Sequence, residues 1–271
     1  MFCRGKFRAH CAPRVLGAER YQGIKMKDRI QAFGVHLGLS VFIALLVLVL
    51  VFYIWYPAPL HKAVGVTHIF LLLLTVDVIL GPCLTFVIFK KGKKTLKFDL
   101  AVIVALQFTA LSYGLYTVAE GRPAWLVFAA DRFDLVRVME LDTRYPERVK
   151  EPYRSVPWLG PRWVAALPPE DQGENSTLTL EAVFSGFDLP QRPYLYAPLE
   201  AAREMIKAKA LPLNELDKFN EADAVETALK AWPQADAWLP LMSNAKPMVV
   251  LLDQSATDIQ VLAVVDLHPW S

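Results

Sequence analysis

No cysteine follows Cys83 in this chain of 271 residues. A disulfide framework is therefore excluded from the long C-terminal part, even in a compartment that would permit one. Cys3 and Cys11 lack the spacing and partners of a zinc site. Cys83 lies inside an apolar run and reads as a small filler. Catalytic signatures are missing as well: there is no GxSxG, HExxH, CxxC or phosphate-binding loop. An intramembrane aspartyl protease needs two carboxylates acting together, but only Asp77 lies within an apolar run, with Asp99 at the edge of another. His61 and His68 have no third ligand nearby and read as solvated side chains. No repeat and no nucleic-acid module is visible. The chain is thus expected not to be an enzyme, with no cofactor, no metal, no nucleic acid and no evident small-molecule substrate.

Charge is scarce in three long apolar runs: residues 37–56 carry none, 67–89 carry only Asp77, and 100–118 carry none. About 20 apolar residues in a helix cover a bilayer core of about 30 Å, so each run can cross a membrane. Basic residues crowd the segment before the first run, from Arg4 to Arg29. They crowd again between the second and third, at Lys90, Lys91, Lys93, Lys94 and Lys97, while Lys62 is alone between the first and second. Basic residues stay cytoplasmic, which places the N-terminus inside and everything after Val118 outside. Tyr53, Trp55 and Tyr56 then form an aromatic belt at the outer interface, and Pro57 and Pro59 stop the helix. The first run is too long, and Tyr-Pro-Ala-Pro too poor a cleavage site, for a signal peptide, so an anchor is expected. Met26 begins a more regular stretch than the basic, irregular residues 1–25 and is a candidate true start.

The charge divides accordingly. From Ala119 onward there are 23 acidic and 15 basic residues, against 4 acidic and 14 basic before it. The basic part suits topology and contact with anionic lipid. The expected fold is a membrane α+β protein: a three-transmembrane-helix bundle followed by a small α+β extracytoplasmic domain. Its parts are a cytoplasmic N-terminus over 1–36, a transmembrane domain over 37–118 and an extracytoplasmic domain over 119–271. In that last domain, 125–129 and 133–138 read as strands, and 145–198 mostly as loop with a short strand at 178–184. Residues 199–210 and 215–232 read as helices. Met248–Asp253 and 259–265 read as a terminal hairpin around a Gln-Ser-Ala-Thr turn, expected to pair with the strands near Trp125.

Asp77 is the sharpest single feature, because an ionised carboxylate in mid-bilayer costs roughly 2.5–3.5 kcal/mol on insertion scales. It must face protein or water, or stay protonated. Gly81 lies one turn along the same face and admits a neighbouring helix, while Pro82 cannot donate to Val78 and favours a kink. Asp77 sits about 20 Å above the inner boundary, between Gln107 at about 15 Å and Ser112 at about 23 Å. Both are therefore expected to hydrogen-bond it. Interhelical glue, contact with a partner's transmembrane helix, and proton or ion movement all remain open. Asp131, Arg132 and Phe133 follow a strand as a compact charged turn, structural or a docking surface. Trp158, Trp163 and Trp270 could fill the core, rest on the membrane interface or meet a partner.

Several ordered segments resemble the type IV pilin accessory protein family of bacterial inner membranes (the TfpX/TfpZ group). They are Met26-Lys-Asp-Arg-Ile-Gln-Ala-Phe-Gly-Val-His-Leu, Asp77-Val-Ile-Leu-Gly-Pro-Cys-Leu-Thr, Lys97-Phe-Asp-Leu, Leu106-Gln107, Tyr113-Gly114 and Arg122-Pro123. Val127-Phe128 with Asp131-Arg132-Phe133 completes the set, and Lys246-Pro-Met-Val-Val with Pro269-Trp270 follows more loosely. Cys83 departs from the expected apolar residue, and residues 1–25 fall outside the pattern. The resemblance implies a protein that assists a major pilin, affecting its stability or assembly, and supplies no catalytic residues. A small transporter and a membrane sensor with an outer ligand domain are the competing readings. Three spans without a repeat argue against the first, and inner loops too short for an output module argue against the second.

Overall fold

The computed structural model describes residues 16–169, 171–255 and 260–270. Cys3, Cys11 and the arginines before Leu16 lie outside them, as do Ala256 and Thr257 of the hairpin turn. The first helix, α1, spans Leu16–Val49, so part of the stretch read as irregular is helical, and a π-helical turn over Leu50–Trp55 extends it. After the short α2 (Leu60–Val64) come α3 (Val66–Ile88) and α4 (Leu96–Glu120). Among the described residues three segments are long and apolar enough to cross a membrane: Met26–Trp55, Val66–Ile88 and Leu96–Glu120. The chain packs as two compact units. One joins Leu74–Ser112 to the described part of Met1–Ala44, and the other joins Leu45–Leu73 to the described part of Tyr113–Ser271.

The second unit holds a mixed sheet. Its strands are β1 (Pro123–Ala129), β2 (Arg132–Arg137), β3 (Arg162–Ala166), β4 (Tyr196–Ala197), β5 (Leu211–Pro212), β6 (Ala237–Met242), β7 (Met248–Asp253) and β8 (Gln260–Val265). Their order is β4-β3-β1-β2-β6-β7-β8, with β5 beside β6. The terminal hairpin forms, but it does not reach β1, because β2 and β6 intervene. Strand β6 escaped the sequence reading because Pro240 sits in its middle. Proline is tolerated there because β5 pairs with Ala237 and Trp238, β2 pairs with Leu241 and Met242, and Pro240 falls in the gap. Strand β3 was hidden in the proline-rich stretch read as loop.

The strand expected at 178–184 is instead part of helix α5 (Gln172–Ser185). Ser176, Thr177 and Thr179 donate to the carbonyls of Gln172, Gly173 and Asn175, so their hydroxyls are satisfied within the helix. Residues 199–210 form a 3₁₀ turn and then α6 (Arg203–Lys209). The helix expected over 215–232 divides into a 3₁₀ segment, Leu213–Lys218, and α7 (Ala222–Lys230).

Strand β1 is buried along its whole length. Its alternate residues feed two cores, since successive side chains of a strand point to opposite faces. Leu126 and Phe128 pack with Leu60, Ala63, Ile206 and Leu239, while Trp125 and Val127 pack with Val136, Val164 and Tyr196. Helix α2 is pinned to this core: Ala63 accepts hydrogen bonds from the amides of Ala245 and Lys246. Lys62 and Lys246 both reach Asp266, at 2.8 and 2.5 Å.

The aromatic belt is only partly present. Tyr53 is exposed, but Trp55 and Tyr56 are buried inside the second unit. Tyr56 donates its hydroxyl to the Val118 carbonyl at 2.7 Å. Trp55 and Trp158 flank the Arg122 guanidinium, at 5.8 and 4.4 Å from their ring centres. Cys83 is exposed on α3 rather than filling a core.

Candidate functional site

Within the first unit, the described parts of α1, α3 and α4 enclose a groove of about 650 Å³. Asp77 stands half-buried on its α3 wall. His36, Leu39 and Ile43 line the α1 side, and Val104, Gln107 and Phe108 line the α4 side. Val35, Leu39, Val104 and Phe108 are all exposed, so the groove is open along its flank.

Local chemistry fixes the walls. At the end of α3, the Phe89 carbonyl accepts a hydrogen bond from Arg29 Nε at 2.8 Å, which satisfies one of the carbonyls a helix terminus leaves without a partner. Phe33 meets Phe86 edge to face. His36 Nδ1 lies 2.6 Å from the hydroxyl of the buried Thr85, and Lys91 lies 3.7 Å from Asp28. On the other wall, α3 approaches α4 at Gly81, where any Cβ would collide with the Gln107 side-chain amide. Pro82 is buried beside it, and α3 stays helical through it.

Gln107 reaches Asp77, though not its carboxylate: Nε2 donates to the main-chain carbonyl at 3.0 Å. Ser112 is exposed and lies outside the groove lining. Five residues beyond Gln107 at about 100° each turn it roughly 140° away, so the expected bond to Asp77 is not made. His36 lines the same groove from α1. The sequence reading gave His36 and Thr85 no role. The first run was drawn from Leu37, and His36 is visible only once α1 is seen to continue below it.

Gly81→Ala is expected to drive Gln107 off α3 and lower stability in detergent by about 1 kcal/mol, the scale of an interhelical hydrogen bond with some overpacking. Adding Gln107→Ala should recover most of the packing part. Thermal unfolding of both variants checks this, and a double variant no better than the single one would place the clash elsewhere.

The turn after β1 is separate. Ala130 takes a left-handed φ of 57°, uncommon for a residue with a Cβ, and closes a two-residue connection to β2. Arg132 lies 3.9 Å from Asp131 and 3.5 Å from Asp134. Phe133 is fully buried against Phe128 and Trp163, so of the expected docking residues only Asp131 and Arg132 reach the surface. Burial raises the Asp134 carboxyl to about 6 despite Arg132. His61 is half-buried against Phe52 rather than solvated, whereas His68 is exposed. Among the described residues no cluster of histidine, cysteine and carboxylate side chains could hold a metal ion.

A family model described as fimbrial assembly protein FimB matches residues 24–65. The fimbrial assembly protein of serogroup I from Dichelobacter nodosus is 32% identical over 236 residues, covering 82% of this chain and 90% of the relative. The serogroup E1 protein of that organism is 32% identical over 232 residues with the same coverage. The protein of serogroups C1 and C2 is 36% identical over 100 residues, 36% of this chain and 76% of the relative. No solved structure gives a significant match. Identity at this level along most of both chains, with three spanning helices ahead of an α+β domain, shows that the chain belongs to the fimbrial assembly protein family of type IV pilus accessory proteins.

Proposed function

We propose that the chain is an inner-membrane accessory of type IV pilus biogenesis that holds the apolar helix of the major pilin, and so affects the pilin's stability or assembly. The lysines between α3 and α4 favour a cytoplasmic N-terminus and a periplasmic sheet domain. The observation that carries the reading is the groove, apolar and open along its flank, with a half-buried carboxylate in its wall. Lipid chains offer nothing to a carboxylate, whereas a partner helix can bring a polar group to the same depth. Fimbrial assembly in the relatives' names supports the pilus as the setting. The helices and sheet are read as a holder, and no catalytic step is assigned to them.

The test is capture of the tagged full chain from gently solubilised membranes, with bound proteins identified by mass spectrometry beside an Asp77→Asn variant. Pilin is expected to be enriched with the wild type and reduced on the order of tenfold with the variant, the worth of one hydrogen bond to a charged group. Equal pilin in both would move the contact out of the groove. Pilin absent from both, even after crosslinking in cells, would overturn the reading.

A further inference from the structure

Trp158 and Leu159 are 63% and 87% exposed. The segment carrying them does not hang free. It is held against the ends of two spanning helices, within the second unit. The Trp158 ring lies 6.2 Å from that of Trp55, the last residue of the first spanning segment. Gly160 packs so tightly that a Cβ would lie 3.1 Å from the Ile54 carbonyl oxygen, and its φ of +87° suits glycine. Arg122, just past α4, donates to the Ala119 carbonyl at 2.6 Å and to the Pro157 carbonyl at 3.4 Å. The tip of the segment therefore sits at the level where the first and third spans end.

A cavity of about 580 Å³ opens beside it, lined among others by Glu120, Arg122, Trp158, Leu159 and Arg162. Arg122 is 3% exposed, and its Nε has no hydrogen-bond partner. A buried N–H without a partner is costly, and an anionic oxygen is its strongest complement. Arg162 is exposed at the same cavity.

We propose that this cavity is a phospholipid headgroup site. Leu159 and Trp158 enter the interfacial layer of the leaflet in which α1 and α4 end, and Arg122 and Arg162 hold the phosphate of one lipid. Trp158 covers the Arg122 guanidinium at 4.4 Å from its ring centre, so moving that ring into the interface uncovers Nε for a phosphate oxygen. Tryptophan suits this layer, with an apolar body and a polar N–H. Exposed Tyr53, on the turn that ends the first span, continues the same apolar surface. A soluble phosphate would have no use for exposed Trp158 and Leu159, and this favours the lipid. Glu120 adds a negative charge to the lining, so a headgroup carrying an ammonium beside its phosphate fits better than a purely anionic one.

The test uses the full chain in nanodiscs of phosphatidylethanolamine and phosphatidylcholine. Leu159→Cys, in a background with Cys3, Cys11 and Cys83 replaced by serine, carries an environment-sensitive fluorophore. Blue-shifted emission, quenched by a lipid bearing a spin label near the headgroup, is expected. Water-like emission without quenching would overturn the proposal. In parallel, native mass spectrometry counts retained phosphatidylethanolamine in the wild type and in Arg162→Gln, with a loss on the order of tenfold expected from one charge-assisted bond. Equal retention in both would overturn the headgroup site even if the tip inserts. Displacement of the lipid by millimolar inorganic phosphate would overturn the lipid assignment in favour of a soluble anion.

Discussion

Replacing Arg192 with alanine is expected to lower the apparent thermal midpoint of the detergent-solubilised chain by roughly 10 °C, taking about 2–4 °C per kcal/mol for a domain of this size. Arg192 is 1% exposed. Its Nη1 donates to Glu181 at 3.0 Å and to the Tyr194 hydroxyl at 3.1 Å, and its Nη2 donates to the carbonyls of Leu178 and Phe187 at 3.3 and 2.8 Å. One guanidinium thus fastens α5 and the turn after it to the segment that leads into β4. Removing one partner of a buried ionic network costs about 3–5 kcal/mol, because the remaining groups are left desolvated without compensation. Arg144, 3.8 Å from Glu181, softens this without replacing the four bonds. Arg192→Lys should fall between wild type and alanine, since an ammonium cannot match the planar fork. A midpoint within about 2 °C of wild type for the alanine variant would show that the network adds little stability.

Asp134→Asn is expected to stabilise the protein at neutral pH, by up to about 3 kcal/mol at about 1.4 kcal/mol per pKa unit. Burial raises the Asp134 carboxyl from 3.8 to about 6, with Arg132 opposing. A carboxyl whose folded pKa is raised contributes stability that is full below the unfolded value and is lost as pH rises through the folded one. The wild type should therefore gain on acidification from pH 7 towards 4 at this site, and asparagine should not. Denaturant unfolding of both proteins at several pH values checks the sign. The two curves should converge near pH 4, and a gap that widens on acidification would contradict the assignment.

Arg192 lies where the sequence spoke least clearly, in the proline-rich stretch read as loop, whereas Asp134 lies in β2, a strand that was read. The three spans were legible because nothing but membrane or deep core tolerates 20 apolar residues in a row. Strands β1, β7 and β8 were legible because each is an apolar run, and β2 because its residues alternate as a half-buried strand should. Helix α5 was not, since 178–184 alternates like a strand, yet Leu180, Val183 and Phe184 are all exposed and Leu178 is the apolar side chain of the stretch that reaches a core. Strand β6 hid behind Pro240, which is harmless only because two neighbours pair on either side of it.

In the groove, Asp77 stood out as a charge among apolar residues, and Gly81 and Gln107 followed from spacing and depth. Which atom Gln107 would meet could not follow, because depth fixes a level and says nothing about main chain or side chain. Trp55 and Tyr56 were misplaced for a related reason: an aromatic pair at a span end looks interfacial until a domain is known to cover it.

The connection from α4 to β1 contains only Gly121 and Arg122, and both are held. A Cβ on Gly121 would lie 3.2 Å from the Tyr56 hydroxyl, and the Arg122 carbonyl accepts from Val138 N at 3.1 Å. Within the second unit, the end of α4 therefore runs without slack into β1, an interior strand of the sheet. An axial shift at the end of α4 arrives in the hydrophobic core within two residues, and the sheet must follow it or break hydrogen bonds to stay behind.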